Sequence, residues 1–442
     1  MNHEEKTRRL VVDILSSCSG VSLGLDKKTS NLFRDRNEKS KHRLDVRGFN
    51  EVLAVNAAQG WVEVEGMTTY EKLVDALLSH GLMPAVVPQL KSITIGGAAA
   101  GVGIEASSFK YGLVHETMLE LEVLLPDGRV VLATADNEYS DLFHGFPNSY
   151  GTLGYALKLK ARVVPVKPFV QLTHTLIKDP ATCFRRLEEL CAGEADFVDG
   201  VAFGPDELVI TEGRFVDQAP FVSDYTFERI YYKSLRERDC DYLHVRDFIW
   251  RWDTDWFWCS NNLGLQNPIL RRLAGRRRLN SVFYTKIMRL NSRWGLTQCL
   301  DRLLGWQRES VIQDVDIPVE EAAEFLHFLL REIGILPVWL CPIRPQGRRF
   351  TLYPMSPGSL YVNFGFWDVV RRRNPFPPGH HNRLVEQKVA ELGGIKSLYS
   401  DSYYPEEEFW HIYNRQAYCA LKQKYDPDAI LKDLYRKCVL RQ

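Results

Sequence analysis

The stretch Pro88–Gly112, with the sequence PQLKSITIGGAAAGVGIEASSFKYG, decides the fold of this chain. It gathers glycine, alanine and serine immediately before a strongly alternating segment. Residues without bulky side chains let backbone N–H groups approach an anionic ligand closely, so the stretch is typical of a phosphate or pyrophosphate cradle. A bound nucleotide cofactor is therefore the first function that the sequence indicates.

A parallel dinucleotide-binding fold is the obvious alternative, because Gly101-Val102-Gly103 followed by Glu120 and Glu122 imitates its fingerprint. That fold needs a helix with an apolar stripe after the glycines, and Ala106–Gly112 is too short and polar for any helix to be expected there. The next segment alternates on both sides of Pro126-Asp127-Gly128, which predicts an antiparallel hairpin. The sequence therefore argues against a parallel βαβ unit.

The residues around the glycine run predict further antiparallel structure. Thr68 and Glu71 have the spacing of a capping box, which predicts a helix that runs to about His80 and ends at Gly81. The expected strands are Val52–Val55, Trp61–Glu65, Met83–Pro88 and Tyr155–Val163.

Length and charge limit the class of protein. The chain has 442 residues, more than the roughly 250–300 that one hydrophobic core usually supports, so two domains are expected. Lysine plus arginine and aspartate plus glutamate are equal at 56 each, which gives no electrostatic case for a nucleic-acid partner. The 9 cysteines form no C-x-x-C pair, so a disulfide framework or a metal site is not expected. The N-terminal residues contain neither a secretory segment nor an apolar run near the roughly 20 residues of a spanning helix.

Nine short motifs follow one another in a specific order along the chain. They are Val86–Leu90, Thr94–Gly97, Gly101–Glu105, Ser107–Gly112, Tyr150–Gly154, Pro337–Pro342, Leu398–Asp401, Glu407–Trp410 and Tyr425–Cys438. This order resembles the Δ24-sterol reductase group, also called the diminuto/seladin group, and the resemblance extends from about Leu23 to the end of the chain. The group belongs to the flavoproteins with a vanillyl-alcohol-oxidase-type (PCMH-type) FAD domain.

The resemblance implies an α+β chain of two domains. A two-lobed PCMH-type FAD-binding domain is expected over 1–168, followed over 169–442 by a mixed α/β substrate-cap domain whose C-terminal segment closes on the flavin. Eukaryotic members of the group carry a membrane-anchoring N-terminal segment, from which this sequence departs. A cytoplasmic location, with peripheral contact to a membrane, is therefore expected, and the oligomeric state is left open.

By the same resemblance, the FAD-contacting residues lie in three segments. Neither the glycine run nor the loop at 27–31 contains histidine or cysteine, so FAD is expected to bind non-covalently; His42 and His115 are interpreted as structural. The expected contacts are Thr29, Ser30, Asn31, Thr94, Ile95, Gly96, Gly97, Ala98, Ala99, Ala100, Gly101, Val102, Gly103, Ile104, Glu105, Ala106, Ser107, Ser108, Tyr111, Gly112, Gly151, Thr152 and Gly154.

Two features of the second half remain open to two interpretations. Phe248–Trp258 contains four tryptophans and two phenylalanines, which can line a pocket for a polycyclic or isoprenoid substrate or form the core of the cap. Arg271-Arg272, Arg276–Arg278 and Arg371–Arg373 are interpreted as solvated faces, with contact to anionic lipid headgroups or to the 2′-phosphate of NADPH as the alternative.

The implied reaction is reduction of a side-chain carbon–carbon double bond in a sterol-like or isoprenoid substrate, with hydride from reduced flavin and NADPH as the electron source. A positioned acid must supply the proton. Tyr399 is the first candidate, with Tyr403 and Glu408 behind it, because their segment concentrates phenols and carboxylates. The alternatives are an FAD-dependent oxidase or dehydrogenase of an alcohol, sugar or lactone, and a non-catalytic flavin- or lipid-binding protein.

Overall fold

The computed structural model describes residues 1–16, 22–27, 29, 33, 42–294, 301, 304–347 and 350–441. The strands are β1 Leu23–Asp26, β2 His42–Asp45, β3 Val52–Asn56, β4 Trp61–Glu65, β5 Leu82–Pro84, β6 Met118–Leu124, β7 Val130–Thr134, β8 Tyr155–Pro165, β9 Phe169–Ile177, β10 Phe197–Gly204, β11 Glu207–Val216, β12 Cys240–His244, β13 Gln307–Pro318, β14 Val338–Ile343, β15 Tyr361–Arg372 and β16 Ile395–Lys396. The α-helices are α1 His3–Ser16, α2 Tyr70–Leu78, α3 Ile95–Ala100, α4 Ser108–Tyr111, α5 Ser140–Gly145, α6 Pro180–Ala192, α7 Tyr231–Ser234, α8 Val245–Ile249, α9 Pro268–Ala274, α10 Ser281–Trp294, α11 Ala322–Phe328, α12 His380–Glu391, α13 Glu406–Ile412, α14 Arg415–Tyr425 and α15 Leu434–Cys438.

The first sheet has the strand order β3-β4-β8-β6-β7, and β5 also pairs with β8. All of these pairings are antiparallel. The hairpin predicted around Asp127-Gly128 is confirmed as β6–β7, with Gly128 in the left-handed region at φ +86°. The antiparallel pairing confirms that this part of the chain is not a parallel βαβ unit.

The second sheet has the order β12-β9-β11-β10-β14-β15-β13-β16, again with antiparallel neighbours. Its two faces pack against different partners because side chains alternate along each strand. On β14, Val338 and Leu340 join the core under helices α6, α11 and α12. Trp339 and Cys341 point to the other face, into the core that contains the glycine run. The chain is an α+β protein in which one face of the second sheet closes on the first unit.

Four local predictions differ from the structure. Helix α2 is confirmed, but its N-cap is Thr69, whose side chain accepts from the backbone N–H of Lys72, whereas the hydroxyl of Thr68 donates to the carbonyl of Glu51. The strand expected over 83–88 is only Leu82–Pro84. A short helix, α4, does form within 106–112, and Gly112 ends it at φ +76°.

The fourth difference is that the glycine run itself begins as helix α3. Thr94 caps it by accepting from the N–H of Gly97 at 3.2 Å, and the three alanines that follow are strong helix formers. None of the helices in the described ranges is long and apolar enough to span a membrane.

Candidate functional site

The glycine run leaves helix α3 at Gly101 and continues without regular secondary structure to Glu105. In this segment Gly101, Gly103 and Glu105 are buried, while Val102 and Ile104 are half-buried. The backbone of Gly97 is exposed on the preceding helix. The segment therefore presents a narrow apolar strip beside an accessible glycine, a surface that suits a flat ring and a close backbone approach.

Three glycines of the run serve contacts within the protein. A Cβ at Gly96 would lie 2.6 Å from the carbonyl oxygen of Gly66, and one at Gly103 would lie 2.6 Å from Val114 Cγ2. The N–H of Gly96 donates to that same Gly66 oxygen at 2.9 Å, and the N–H of Gly101 donates within helix α3. At Gly97 a Cβ would meet only the Thr94 hydroxyl, at 2.9 Å. The glycines thus bring the run against its neighbours and leave Gly97 as the open position, an arrangement that fits a cofactor held on the outer side of α3.

The other residues expected at FAD are largely engaged by the chain. The Ser107 hydroxyl donates to the Ala85 carbonyl at 2.8 Å, and the Ser108 hydroxyl accepts from the Glu105 N–H at 3.1 Å. Tyr111 is half-buried with the Arg162 guanidinium 5.1 Å from its ring centroid. Thr29 is half-buried, and Ser30 and Asn31 lie outside the described residues.

The C-terminal segment holds the loop at 150–154. Lys437 donates to the carbonyl of Tyr150 at 2.6 Å, and Lys422 donates to the carbonyl of Thr152 at 2.9 Å. Gly151, Thr152 and Gly154 are buried, while Tyr150 is half-buried. The Tyr150 ring lies against Gly101, since a Cβ built there would be 3.3 Å from Tyr150 Cε1. Tyr150 therefore connects the glycine run to the second half of the chain.

Tyr399, the first candidate for the proton donor, is hydrogen-bonded to side chains of the second sheet. Its phenolic oxygen accepts a hydrogen bond from the Trp367 indole N–H at 2.8 Å and shares another with the Asp314 carboxyl. Burial, together with the Asp314 charge, raises the pKa of Tyr399 well above its usual value, and the Tyr150 phenol is near enough to contribute. Burial also raises the pKa of Asp314 well above its usual value. Oδ1 of Asp314 has no hydrogen-bond partner among the described residues. The geometry joins a neutral phenol and a carboxyl that favours its protonated form.

The other two proton-donor candidates are held by arginines. The Tyr403 hydroxyl accepts from Arg441 at 2.8 Å, and its ring packs against Gly379 at the start of helix α12. Glu408 pairs with Arg383 through Nη1 and Oε1 at 3.1 Å. These contacts secure helices α12 and α13, and Tyr399 is the candidate whose phenol accepts from the indole of Trp367, beside the aromatic segment 248–258.

The aromatic segment 248–258 is buried and borders Tyr399 through Trp367. The Phe257 ring lies 4.7 Å from the Trp367 ring and 5.4 Å from the Trp339 ring, measured between centroids. Trp256, Phe257 and Trp258 all have φ near +50°, which few non-glycine residues adopt. This strained turn packs the aromatic side chains of the segment, here called the aromatic wall, against Trp367, the tryptophan that is hydrogen-bonded to Tyr399. The segment therefore forms part of the core and also borders the candidate site.

A buried ion cluster, which the sequence did not indicate, links the glycine run to this segment. The Arg251 guanidinium donates to Glu105 Oε1 at 3.1 Å and to Asp199 Oδ2 at 2.7 Å. Burial opposes the charge of Arg251, but Glu105 and Asp199 outweigh that cost and raise its pKa. Burial raises the pKa of Glu105 against the attraction of Arg251. The Trp339 indole N–H also points at Asp199 Oδ2, at 3.3 Å. Glu105 is therefore a structural anchor of the run.

Both histidines near the cofactor segments have structural contacts. The His115 ring lies 4.5 Å from the Phe350 ring, and burial lowers its pKa to about 3. His42 Nε2 lies 3.0 Å from Asp13 Oδ1. The arginine clusters differ from one another: Arg271 is buried, contrary to a solvated face, whereas Arg372 and Arg373 line an exposed cleft of about 370 Å³.

Comparison with known proteins gives two kinds of match. A family model described as "FAD binding domain" matches residues 27–134. The Delta(24)-sterol reductase of Homo sapiens is 29% identical over 415 residues, covering 90% of this chain and 78% of that protein. The Delta(24)-sterol reductase of Arabidopsis thaliana is 25% identical over 441 residues, covering 90% of this chain and 77% of that protein. A protein named as a putative D-arabinono-1,4-lactone oxidase from Neurospora crassa is 28% identical over 155 residues, covering 35% of this chain and 27% of that protein. These findings confirm the resemblance and the FAD-binding domain.

Proposed function

We propose that this FAD-dependent oxidoreductase, similar to Delta(24)-sterol reductases over most of its length, reduces a side-chain carbon–carbon double bond of a sterol-like or isoprenoid substrate. The observation that carries the proposal is the Tyr399 phenol, held by Trp367 and Asp314 at the border of an aromatic wall. A proton donor inside apolar surroundings is what reduction of an unactivated double bond requires.

When bound, FAD supplies the hydride and receives the electrons. Gly97, Val102 and Ile104 offer the backbone approach and apolar strip on which it would rest. The residues expected at the cofactor otherwise serve to shape this surface, as Gly96 and Gly103 do by their packing.

The proton is the task of Tyr399. Trp367 donates an N–H to the phenolic oxygen. The phenol also donates toward the Asp314 carboxyl, which raises the pKa of Tyr399 and partly offsets the burial that raises the pKa of Asp314. In the proposed step the phenol gives its O–H proton to the substrate carbon, and the Trp367 N–H stabilises the phenolate left after transfer. Asp314, whose carboxyl burial biases toward the protonated form, then returns a proton to the phenolate. Phe257 and Trp339 exclude water from this exchange because they pack around Trp367.

Several finer features belong to the same proposal. FAD binds non-covalently, which the contacts of His42 and His115 with other side chains support. NADPH is the electron donor, an apolar molecule is the substrate, and the enzyme works in the cytoplasm in peripheral contact with a membrane. The FAD-binding domain ends at 168 and the cap begins at 169, between strands β8 and β9. The contacts at the cofactor remain those expected from the sequence.

Anaerobic mixing tests this proposal. NADPH should bleach the flavin spectrum, and a sterol with an unsaturated side chain should then restore it; heat precipitation should release the flavin into solution. Bleaching by a lactone or sugar alcohol, with no response to the sterol, would instead favour the oxidase alternative to which the Neurospora crassa similarity points.

A further inference from the structure

Helix α9, Pro268–Ala274, buries one of its two arginines and exposes most of its apolar side chains, with Arg272 exposed beside them. Its Arg271 is 1% exposed, and the guanidinium donates inward to the backbone carbonyls of Phe227 and Leu265. Its apolar side chains face outward instead, since Ile269 is 70% and Leu273 is 74% exposed. A helix that meets water buries its apolar side and exposes its charges. The exposed apolar side chains suit a helix whose outer face meets an apolar medium.

A basic turn borders this face directly. Arg276–Arg278 form a short 3₁₀ turn after α9, and all three side chains are exposed. Arg276 pairs with Asp224 at 3.1 Å, whereas no carboxylate among the described residues pairs with Arg277 or Arg278. A cationic border around exposed apolar side chains is complementary to an anionic lipid surface.

An unbroken row of aromatic contacts runs from Tyr399 to the base of this helix. The Phe33 ring lies 5.9 Å from the Tyr399 ring and 6.0 Å from the Trp256 ring, between centroids. Trp256 stacks on Tyr284 at 6.1 Å, and Ala274 of helix α9 packs on the same cluster. The face of α9 and the candidate proton donor are therefore two ends of one apolar region.

We propose that Ile269, Leu270 and Leu273 of α9, with the basic turn at 276–278, form a docking surface for an anionic phospholipid bilayer. The three side chains enter the acyl region while the arginines meet the headgroups. The aromatic row joins this face to Tyr399 through packed side chains, so docking would bring the apolar side of the candidate site next to a substrate dissolved in the bilayer. That consequence rests on the proposed function, and the docking surface specifies where the membrane contact proposed there is made.

Vesicle co-sedimentation of the full-length protein tests the docking. We expect binding to vesicles of equal parts phosphatidylcholine and phosphatidylserine to exceed binding to pure phosphatidylcholine. Arg277→Gln with Arg278→Gln should weaken binding to the anionic vesicles about thirtyfold, because each arginine near such a surface contributes about fivefold. The matched control is Arg185→Gln with Arg186→Gln, which alters two exposed arginines on helix α6. This control should leave binding to the anionic vesicles unchanged.

Replacement of the apolar side chains gives a second test. Ile269→Gln with Leu273→Gln should weaken binding to both vesicle types by at least about tenfold, since each inserted side chain loses an apolar burial. Leu176→Gln, which alters a leucine 57% exposed on strand β9, is its control.

The docking proposal is overturned if the anionic lipid gives no advantage, or if test and control variants behave alike. It is also overturned if the Ile269/Leu273 variant turns a dimer into a monomer in sedimentation velocity with vesicle binding unchanged, because the face then joins two copies of the chain. Turnover of detergent-dispersed substrate separates this from the proposed function. The docking variants should keep this turnover. If the unaltered protein binds vesicles but does not turn over the dispersed substrate, that result would count against the proposed function alone.

Discussion

The proposed chemistry depends on the surroundings of Tyr399. Its hydroxyl is bound from two sides, by Trp367 and Asp314, and yet the ring is only half-buried. Tyr413 is fully buried instead, and its hydroxyl donates to the Lys396 carbonyl at 2.7 Å and also interacts with the Tyr404 phenol. The partners of Tyr399 differ in being an indole N–H and a carboxyl, and substitution of the two tyrosines tests whether that difference is chemical.

Tyr399→Phe is predicted to slow transfer to the substrate by about 10²–10⁴-fold, the usual contribution of general acid catalysis. FAD content and reduction of the flavin by its donor should change little, because the ring keeps its volume. Stopped-flow measurement of the two half-reactions checks this. Tyr413→Phe is the control and should lower the melting temperature with a small kinetic effect, since it leaves a buried carbonyl unpaired. An unimpaired oxidative half-reaction in the Tyr399 variant would remove this residue from the mechanism.

Substitution of two adjacent glycines distinguishes a role in cofactor binding from a role in packing. Gly96→Ala would set a Cβ 2.6 Å from the Gly66 carbonyl oxygen, so it should lower the stability of the apoprotein. Gly97→Ala sets a Cβ 2.9 Å from the Thr94 hydroxyl that caps helix α3, so a weakened cap offsets the helix propensity of alanine and stability should fall less than in Gly96→Ala. The methyl group added at Gly97 faces outward, and FAD affinity should fall about tenfold or more. Fluorescence titration with FAD and thermal melting distinguish the two; full affinity in the Gly97 variant would show that the cofactor does not approach this face.

At the scale of elements, local patterns were predictable and contacts between distant strands were not. The β6–β7 hairpin follows from period-two alternation and an Asp-Gly turn, both of which lie within a few residues. Tyr399 is a candidate from the sequence because its segment is locally rich in phenols, and its catalytic role stays a prediction. Trp367 and Asp314 come from strands β15 and β13, which pair antiparallel with Asp314 opposite Gly365, so only the sheet register brings them to Tyr399. The helix α3 was missed because consecutive glycines lower helix propensity, which the Thr94 cap and tertiary contacts overcome.

Helix α1 makes a pH-dependent contact with the first sheet. Burial alone would lower the pKa of His3, but the Glu122 and Glu65 carboxylates outweigh it and raise that pKa to about 9. Because the folded pKa is the higher one, the contribution to stability is complete below the unfolded value of about 6.5 and is lost as pH rises to about 9. His3→Gln should therefore lower the free energy of unfolding by up to about 3 kcal/mol at pH 6 and by little above pH 9. Denaturant unfolding of both proteins at the two pH values measures this difference in the free energy of unfolding. An equal loss of stability at both pH values would refute the charged contact.

At the scale of the whole molecule, the glycine run and the second sheet are joined by a buried ion cluster. Arg251 lies between Glu105 on the run and Asp199 on strand β10, and its side chain is 1% exposed. Sequence resemblance could predict a cap domain over the FAD-binding domain, but not this cluster, since its members lie 146 and 52 residues apart from Arg251. The cluster fixes the apolar strip of the run relative to the aromatic wall.

Arg251→Met is predicted to destabilise the protein by about 3–5 kcal/mol, because it leaves two buried carboxylates without their cation. Arg272→Met removes an exposed pair with Glu228 and should cost less than about 1 kcal/mol. Chemical denaturation of both variants makes the comparison. Equal and small losses would mean that the cluster does not hold the two units together.

The central claim is that the chain reduces a side-chain double bond with a proton from Tyr399. The most direct measurement is the anaerobic oxidative half-reaction in D₂O, in which photoreduced enzyme is mixed with a sterol that has an unsaturated side chain and the product is analysed by mass spectrometry and NMR. The account predicts that the oxidised flavin spectrum returns and that the product carries one deuterium on each carbon of the former double bond, because both N5 of a flavin reduced in D₂O and the exchangeable acid carry solvent deuterium. It also predicts a strongly slowed reaction in Tyr399→Phe. Flavin that stays reduced in the presence of the sterol, while oxygen reoxidises it, would contradict the account.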